Sequence, residues 1–152
     1  MAKPMEEKVL LGEAAEHLVL AMLLRHGYVA GQAPRGWKAD DILGHGDLRV
    51  QVKATVKGTK HGWLVGDVDV DPKRFYALVD FADEADPRIY VVPSCIVRDA
   101  AEASHREYYV HHPDAKPSSM RQIQDPFSFE VPGYPPGWLQ KFHNGWTGLG
   151  PF

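Results

Sequence analysis

Alternating apolar and polar residues mark one strand of this chain more clearly than any other. The segment RVQVKATV has apolar side chains at Val50, Val52, Ala54 and Val56 and polar ones at Arg49, Gln51, Lys53 and Thr55. A period of two predicts a strand with one buried face. The polar face, with Gln51 and Lys53 side by side, meets either water or a phosphate group, and the alternation alone leaves both open.

Apolar residues at helical spacing precede this strand. They recur through VLLGEAAEHLVLAMLLRHGY, with Pro4 as a favourable first helical residue and Gly27 as a favourable left-handed cap. The pattern predicts a long helix from Pro4 to Gly27. Glu13 and His17 are four residues apart, so they share a face that borders the apolar stripe.

A hairpin is predicted where the turn GHGD separates Ala39–Leu43 from the strand Leu48–Val56. A three-residue loop would pair Gly44 with Leu48 and place Asp41 opposite Gln51. Opposite residues of paired strands project to the same side, so these two side chains are expected to lie close together.

The rest of the chain gives shorter signals. YVAGQAP, FYALVDF and RIYVVP are predicted strands, KGTKHGWLVGD is either a basic loop or a hairpin, and Asp71-Pro72 begins a single helical turn. Ser94 is predicted to cap a helix from Cys95 to Arg106.

Periodicity fades in the last third of the chain. From His111 onward Pro, Gly, Ser and aromatic residues dominate, with one helical turn predicted from Trp138 to His143. We therefore expect a core over residues 1–110 and an extension over residues 111–152 that packs on the core or on a partner subunit.

Composition narrows the class of protein. The length of 152 residues fits one globular domain. The net charge of −3 argues against a nonspecific nucleic-acid coat protein, because such proteins bind phosphates through many Lys and Arg side chains. Its single cysteine, Cys95, is expected to be buried and inert, and it excludes an internal disulfide and a zinc site built on Cys pairs. With no long apolar run and no signal-peptide core, we expect a cytoplasmic protein without a membrane partner.

Three short motifs then carry a resemblance. Gly12-Glu13 on the helix, DDIL at residues 40–43 and QVK at residues 51–53 follow in the order of the PD-(D/E)XK nuclease superfamily, which the chain resembles over about its first third. The resemblance implies a restriction-endonuclease-like α/β fold, a central mixed β-sheet flanked by helices, here with an irregular C-terminal arm. It also implies that Asp41 is the family aspartate, Lys53 the family lysine and Glu13 the helical glutamate. Gln51 stands at the (D/E) position, which is a departure from the usual carboxylate.

Phosphodiester hydrolysis accounts for these residue types. Mg²⁺, for which Mn²⁺ can substitute, takes oxygen ligands, and Glu13, Asp41, the Gln51 amide and the Val52 backbone carbonyl would supply them. Lys53 would orient the attacking water or stabilise charge in the transition state. Each motif alone is more often a solvated surface feature, so only their order and spacing favour a catalytic set.

Cations flank these motifs on both sides. Arg35 and Lys38 precede the Asp pair, and Lys57, Lys60 and His61 follow the strand. They are expected either to line a groove for DNA phosphates or only to solubilise their loops.

The sequence thus predicts a Mg²⁺-dependent endonuclease that acts on DNA, as a homodimer with one active site for each strand. Two alternatives stay open. One is a nuclease-fold protein that binds nucleic acid or a partner and has lost efficient metal binding through Gln51, and the other is an enzyme with the same site that cuts RNA.

Overall fold

The structure, a computed structural model, describes residues 4–150 as a layered α/β domain. Its elements are the helices α1 (Pro4–Arg25) and α2 (Ser94–His111) and the strands β1 (Ala30–Gln32), β2 (Ile42–Gly44), β3 (Arg49–Thr55), β4 (Trp63–Leu64), β5 (Arg74–Asp80), β6 (Arg88–Pro93) and β7 (Gln122–Ile123). Short 3-10 turns lie at His45–Asp47, Gln140–Phe142 and Trp146–Leu149. Within the described range, no helix is both long and apolar enough to cross a bilayer.

Five strands form one mixed sheet in the order β1-β2-β3-β5-β6. The β3–β5 pair is parallel, and the other pairs are antiparallel. This arrangement confirms the predicted α/β class with a mixed central sheet.

Each face of the sheet packs against one helix. On one face, Ala15, Val19 and Leu23 of α1 pack with Val50 and Val52 of β3. On the other face, α2 packs against the side chains of β5 and β6 that point away from α1. All seven residues of β5 are buried, as expected for a strand covered on both faces.

The hairpin between β2 and β3 has the predicted register. Ile42 pairs with Val50, and the Gly44 N–H donates to the Leu48 carbonyl at 2.8 Å. The tight turn is possible because Gly46 and Asp47 both adopt positive φ, at 72° and 64°. The long first helix is also confirmed, with Gly27 in the left-handed conformation at φ 88°.

Of the two structures predicted for the basic segment after β3, the loop is the one present, and Trp63-Leu64 pairs with Gln122-Ile123 of the extension. Two predictions for the second helix were wrong. The second helix extends past Arg106 to His111. Ser94 does not cap it through its side chain, because the Ser94 hydroxyl donates to the Asp71 carbonyl and accepts from the Asp71 N–H.

The C-terminal segment packs on the domain. Trp138 and Leu139 join the α2 core, whereas Trp146 and Leu149 join the α1 core. The Asp125 carboxylate accepts from the backbone N–H groups of Gly137 and Leu139 at 2.7 and 3.2 Å, which fixes the bend before the last turns. This segment therefore contributes to both hydrophobic cores of the described chain.

Candidate functional site

Asp41 lies where strands β2 and β3 separate. Its N–H donates to the Val50 carbonyl at 2.9 Å, and its carboxylate accepts from the Val52 N–H at 2.7 Å. A side chain thus takes the place of the strand backbone as the partner of Val52. Burial raises the pKa of Asp41, the Val52 hydrogen bond and the Lys53 charge oppose that rise, and the net result is a pKa above the ordinary 3.8.

Gln51 and Lys53 share a sheet face beside Asp41. They pair with Tyr76 and Leu78 of β5, so they point away from α1 and towards the side that α2 covers. The Gln51 side-chain oxygen Oε1 is buried and has no hydrogen-bond partner among the described residues. Lys53 is near enough to Asp41 for its charge to lower the pKa of that carboxyl.

Glu13, the predicted helical glutamate, projects into solvent. Its side chain is 56% exposed and lies 3.6 Å from His17, which is 63% exposed. His17 is thus a solvent-facing histidine, paired along the helix with Glu13, as the four-residue spacing predicts.

Glu16 is the α1 carboxylate whose pKa is raised by burial and by the charge of Asp41. It is half-buried, and its pKa is raised above 4.5 by burial first, then by the charge of Asp41 and then by that of Glu13. Sequence reasoning missed this residue, although it directly follows Ala15, which lies on the buried stripe of α1. Since successive residues of a helix are about 100° apart, Glu16 borders the stripe more closely than Glu13 does.

The two adjacent aspartates have different environments. Asp40 is 3% exposed and accepts from Arg74 Nε at 2.8 Å and from Nη2 at 3.4 Å. Arg74 also reaches Asp69, whose side chain is 89% exposed. Asp40 therefore fixes the segment before β2 to the start of β5, while the neighbouring Asp41 carboxylate is held at β3.

Tyr76 completes the buried side of this region and was not predicted from the sequence. It neighbours Gln51 across the β3–β5 ladder and is 4% exposed. Burial raises the pKa of its phenol, Arg74 lowers it, and Asp40, Asp69 and Asp41 raise it further. Tyr76 thus feels both aspartates of the DDIL motif.

The oxygen donors present fit a hard divalent cation better than a soft one. No cluster of three or more His, Cys, Asp or Glu side chains suited to a metal occurs in the described part of the chain. An ion at Asp41 would therefore need the Gln51 amide oxygen or a backbone carbonyl beside the carboxylates. Amide and carbonyl oxygens are ligands for Mg²⁺ and Ca²⁺ and are poor ligands for thiophilic metals.

The predicted DNA-contacting side chains all lie in exposed positions on two loops: Arg35, Lys38, Lys57, Lys60 and His61. One loop leads into Asp41 and the other follows the last residue of β3. Because the turn at residues 45–47 closes the opposite end of the β2–β3 hairpin, both loops lie at the end of the sheet that carries Asp41.

Cys95 differs from its prediction. The structure places it on the exposed side of the first turn of α2. The apolar neighbours Ile96 and Val97 pack inward, and Cys95 precedes them on the outer face of the helix.

One solved structure gives an independent measure of the fold. The chain is similar to the bacterial homing endonuclease I-Ssp6803I, with a TM-score of 0.50 and 15% sequence identity over 90% of this chain and 88% of that one. No protein-family model and no curated protein sequence matches. At this identity the similarity concerns the fold, and the chain accordingly shares the α/β fold of that nuclease over nearly its whole length.

Proposed function

We propose that the protein is a Mg²⁺-dependent endonuclease of the PD-(D/E)XK type that hydrolyses phosphodiester bonds in DNA. Its site comprises Asp41, Gln51 and Lys53 at the open end of the β2–β3 hairpin, and a carboxylate of α1 would approach Asp41 from the other face of the sheet. The sequence motifs, the shared fold and the geometry of these side chains support the proposal from different directions.

The observation that carries the proposal is the unpartnered Gln51 oxygen. A buried amide oxygen without a donor costs about 1–3 kcal/mol, and this one lies between the two β3 residues that bind Asp41. A cation held jointly by Gln51 and Asp41 would satisfy that oxygen. A strand glutamine with a purely structural role would instead find a donor within the protein or point into water.

The α1 carboxylate in this proposal is Glu16. It is half-buried, and burial and the charge of Asp41 raise its pKa, whereas Glu13 is exposed and lies 3.6 Å from His17. Glu13 would not contact the metal ion directly, and it would act through a bridging water or through its charge repulsion with Glu16. The Val52 carbonyl is the backbone oxygen nearest in sequence to both Gln51 and Lys53, and it is proposed as a further ligand.

Bound Mg²⁺ would neutralise charge on the phosphate and provide a more acidic water near neutral pH. The protein groups position the reactants around it. Lys53 donates to the attacking water or to a phosphate oxygen, and the Asp41 carboxylate stays fixed because the Val52 N–H holds it. The Asp40–Arg74 pair keeps the segment before Asp41 in place.

DNA is the proposed substrate because exposed cations lie on both loops at this end of the sheet. Contacts from Lys38 and Lys57 to phosphates on either side of the cut would give an acidic protein a local basic surface. Cutting two strands would require two copies of the site, and we propose a homodimer for that reason.

A cleavage screen tests the proposal. Duplex, branched and single-stranded DNA and RNA are incubated with the protein in Mg²⁺, in Mn²⁺ and in chelator. We expect metal-dependent cutting of DNA that is lost in Lys53→Ala and retained in Lys73→Ala, a control lysine at the opposite end of the hairpin, where its Nζ contacts the Gly46 carbonyl.

The alternatives have their own outcomes in the same screen. If RNA alone is cut, the enzyme class stands and the substrate is wrong. If nothing is cut and calorimetry finds no divalent-cation binding, the proposal fails, and a nuclease-fold protein that only binds nucleic acid or a partner replaces it.

A further inference from the structure

An exposed tryptophan stands on the loop that leads into Asp41. The loop is closed at its base, where the Ala33 N–H donates to the Asp41 carbonyl at 2.9 Å. Within it, the Trp37 N–H donates to the Pro34 carbonyl at 2.9 Å, and Gly36 takes a positive φ of 89°. Proline, glycine and these two hydrogen bonds restrict the backbone of the loop that carries Trp37.

Trp37 differs from every other tryptophan of the chain. It is 52% exposed, whereas Trp63, Trp138 and Trp146 are 2%, 7% and 2% exposed. The ring contacts of the described residues do not include Trp37. A large aromatic surface on a restrained loop is thus left open to a partner, which is a common feature of stacking sites.

The charge around Trp37 favours a polyanion. Arg35 and Lys38 flank it, both exposed, and the segment APRGWKA contains no carboxylate. Trp37 and Asp41 are only four positions apart along the chain, so their Cα atoms lie within about 14 Å of each other, a span of a few nucleotides along a strand.

We propose that Trp37 stacks on an unpaired base of the DNA strand held at Asp41, and that the protein therefore prefers single-stranded or branched DNA to continuous duplex. Inside a duplex both faces of a base are covered by its neighbours, so an indole can stack only where a base is unpaired or flipped out. Arg35 and Lys38 hold the adjacent phosphates. The inference rests on the proposed function for the identity of the ligand, and it adds the form of DNA that the site accepts.

Tryptophan fluorescence tests this inference without any cleavage. In the full-length Lys53→Ala variant the three buried tryptophans contribute little to acrylamide quenching, so the quenchable emission reports Trp37. We expect a single-stranded oligonucleotide, and the same strand carried as a flap, to shield this emission, whereas a blunt duplex does not. The additional substitution Trp37→Phe should abolish the change.

Affinity and its salt dependence separate stacking from charge. Measured by anisotropy of a labelled single strand, Trp37→Ala should weaken binding at least about five-fold and leave the slope of log affinity against log salt unchanged. Lys38→Ala should lower that slope by about 0.7, the value for one phosphate contact to a single strand. Trp37→Phe should recover most of the affinity.

The remaining outcomes separate a failure of the proposed function from a failure of the inference about Trp37. If no oligonucleotide binds in the anisotropy assay, the proposed function fails and this inference fails with it. If DNA binds but the Trp37 emission is unchanged, or if blunt duplex shields it as well as the single strand does, only the inference is overturned.

Discussion

At the scale of single residues, Gln51 is the side chain whose setting departs most from that of an ordinary strand glutamine. Its Oε1 is buried and unpartnered, beside a carboxylate whose pKa is already raised by burial. A third carboxylate at this position would add repulsion to Glu16 and Asp41. In the proposed metal site the neutral amide would relieve that repulsion at the loss of one anionic ligand, so metal binding is expected to strengthen when a DNA phosphate is present.

The substitution Gln51→Glu tests this balance between charge repulsion and metal affinity. An ionised carboxylate binds a hard cation more strongly than an amide does, so Mg²⁺ affinity of the free protein should rise, and cleavage should survive with a shifted metal optimum. Titration calorimetry without DNA measures the affinity. Unchanged affinity would mean that Gln51 plays no part in metal binding.

Glu16→Gln is expected to stabilise the protein at neutral pH. The folded-state pKa values of Glu16 and Asp41 are both raised. The stability linked to each group is therefore fully present below its unfolded pKa and is lost as pH rises through the folded pKa. The gain for Glu16→Gln should thus appear above about pH 4.5 and shrink in acid, and it should be a fraction of a kcal/mol because solvent screens a half-exposed group.

Glu13→Gln provides the matched control for that measurement. Thermal melts at several pH values should show a smaller effect for this exposed residue, and combining each substitution with Asp41→Asn should reveal coupling for Glu16 only. Stronger coupling of Asp41 to Glu13 than to Glu16 would reverse the assignment. The sequence places both glutamates on one helix without showing which one faces the site. The packing of α1 on the sheet, which buries Ala15 and Val19, distinguishes Glu16 from Glu13.

At the scale of elements, the β2–β3 hairpin could be predicted from the sequence, whereas the contacts between distant segments around it could not. The turn GHGD fixes the register because Gly46 and Asp47 can adopt positive φ, and that register brings Asp41 to β3. The Asp40–Arg74 pair and the β4–β7 ladder join segments far apart in sequence. Two-residue strands and single ion pairs have no periodic sequence pattern, so they could not be predicted from the local sequence.

Breaking the Asp40–Arg74 pair should destabilise the fold strongly. Asp40→Ala leaves the buried guanidinium of Arg74 without its main partner, a change that costs about 3–5 kcal/mol. Asp69→Ala removes a contact to the same guanidinium from a side chain that is 89% exposed, and it should cost less than about 1 kcal/mol. Denaturant unfolding of both variants makes the comparison, and equal losses would contradict the structural role given to Asp40.

At the scale of the whole molecule, the sequence predicted an α/β class and a mixed sheet, and the α/β fold is shared with a homing endonuclease. It did not predict that the last segment would contribute Trp138 to one core and Trp146 to the other. These contacts depend on where the sheet faces lie after folding. Residue type alone favours burial of an aromatic side chain, without showing against which face of the sheet it packs.

The central claim assigns different roles to two residues. Asp41 is proposed to bind the metal ion, and Lys53 is proposed to act on the attacking water or the phosphate without binding that ion. The most direct test is to measure Mg²⁺ affinity, by calorimetry with a bound uncleavable DNA analogue, and the cleavage rate for Asp41→Ala and Lys53→Ala. The account predicts that Asp41→Ala loses both metal binding and cleavage, while Lys53→Ala retains metal binding and loses cleavage. Normal Mg²⁺ affinity in Asp41→Ala, or full cleavage by Lys53→Ala, would contradict it.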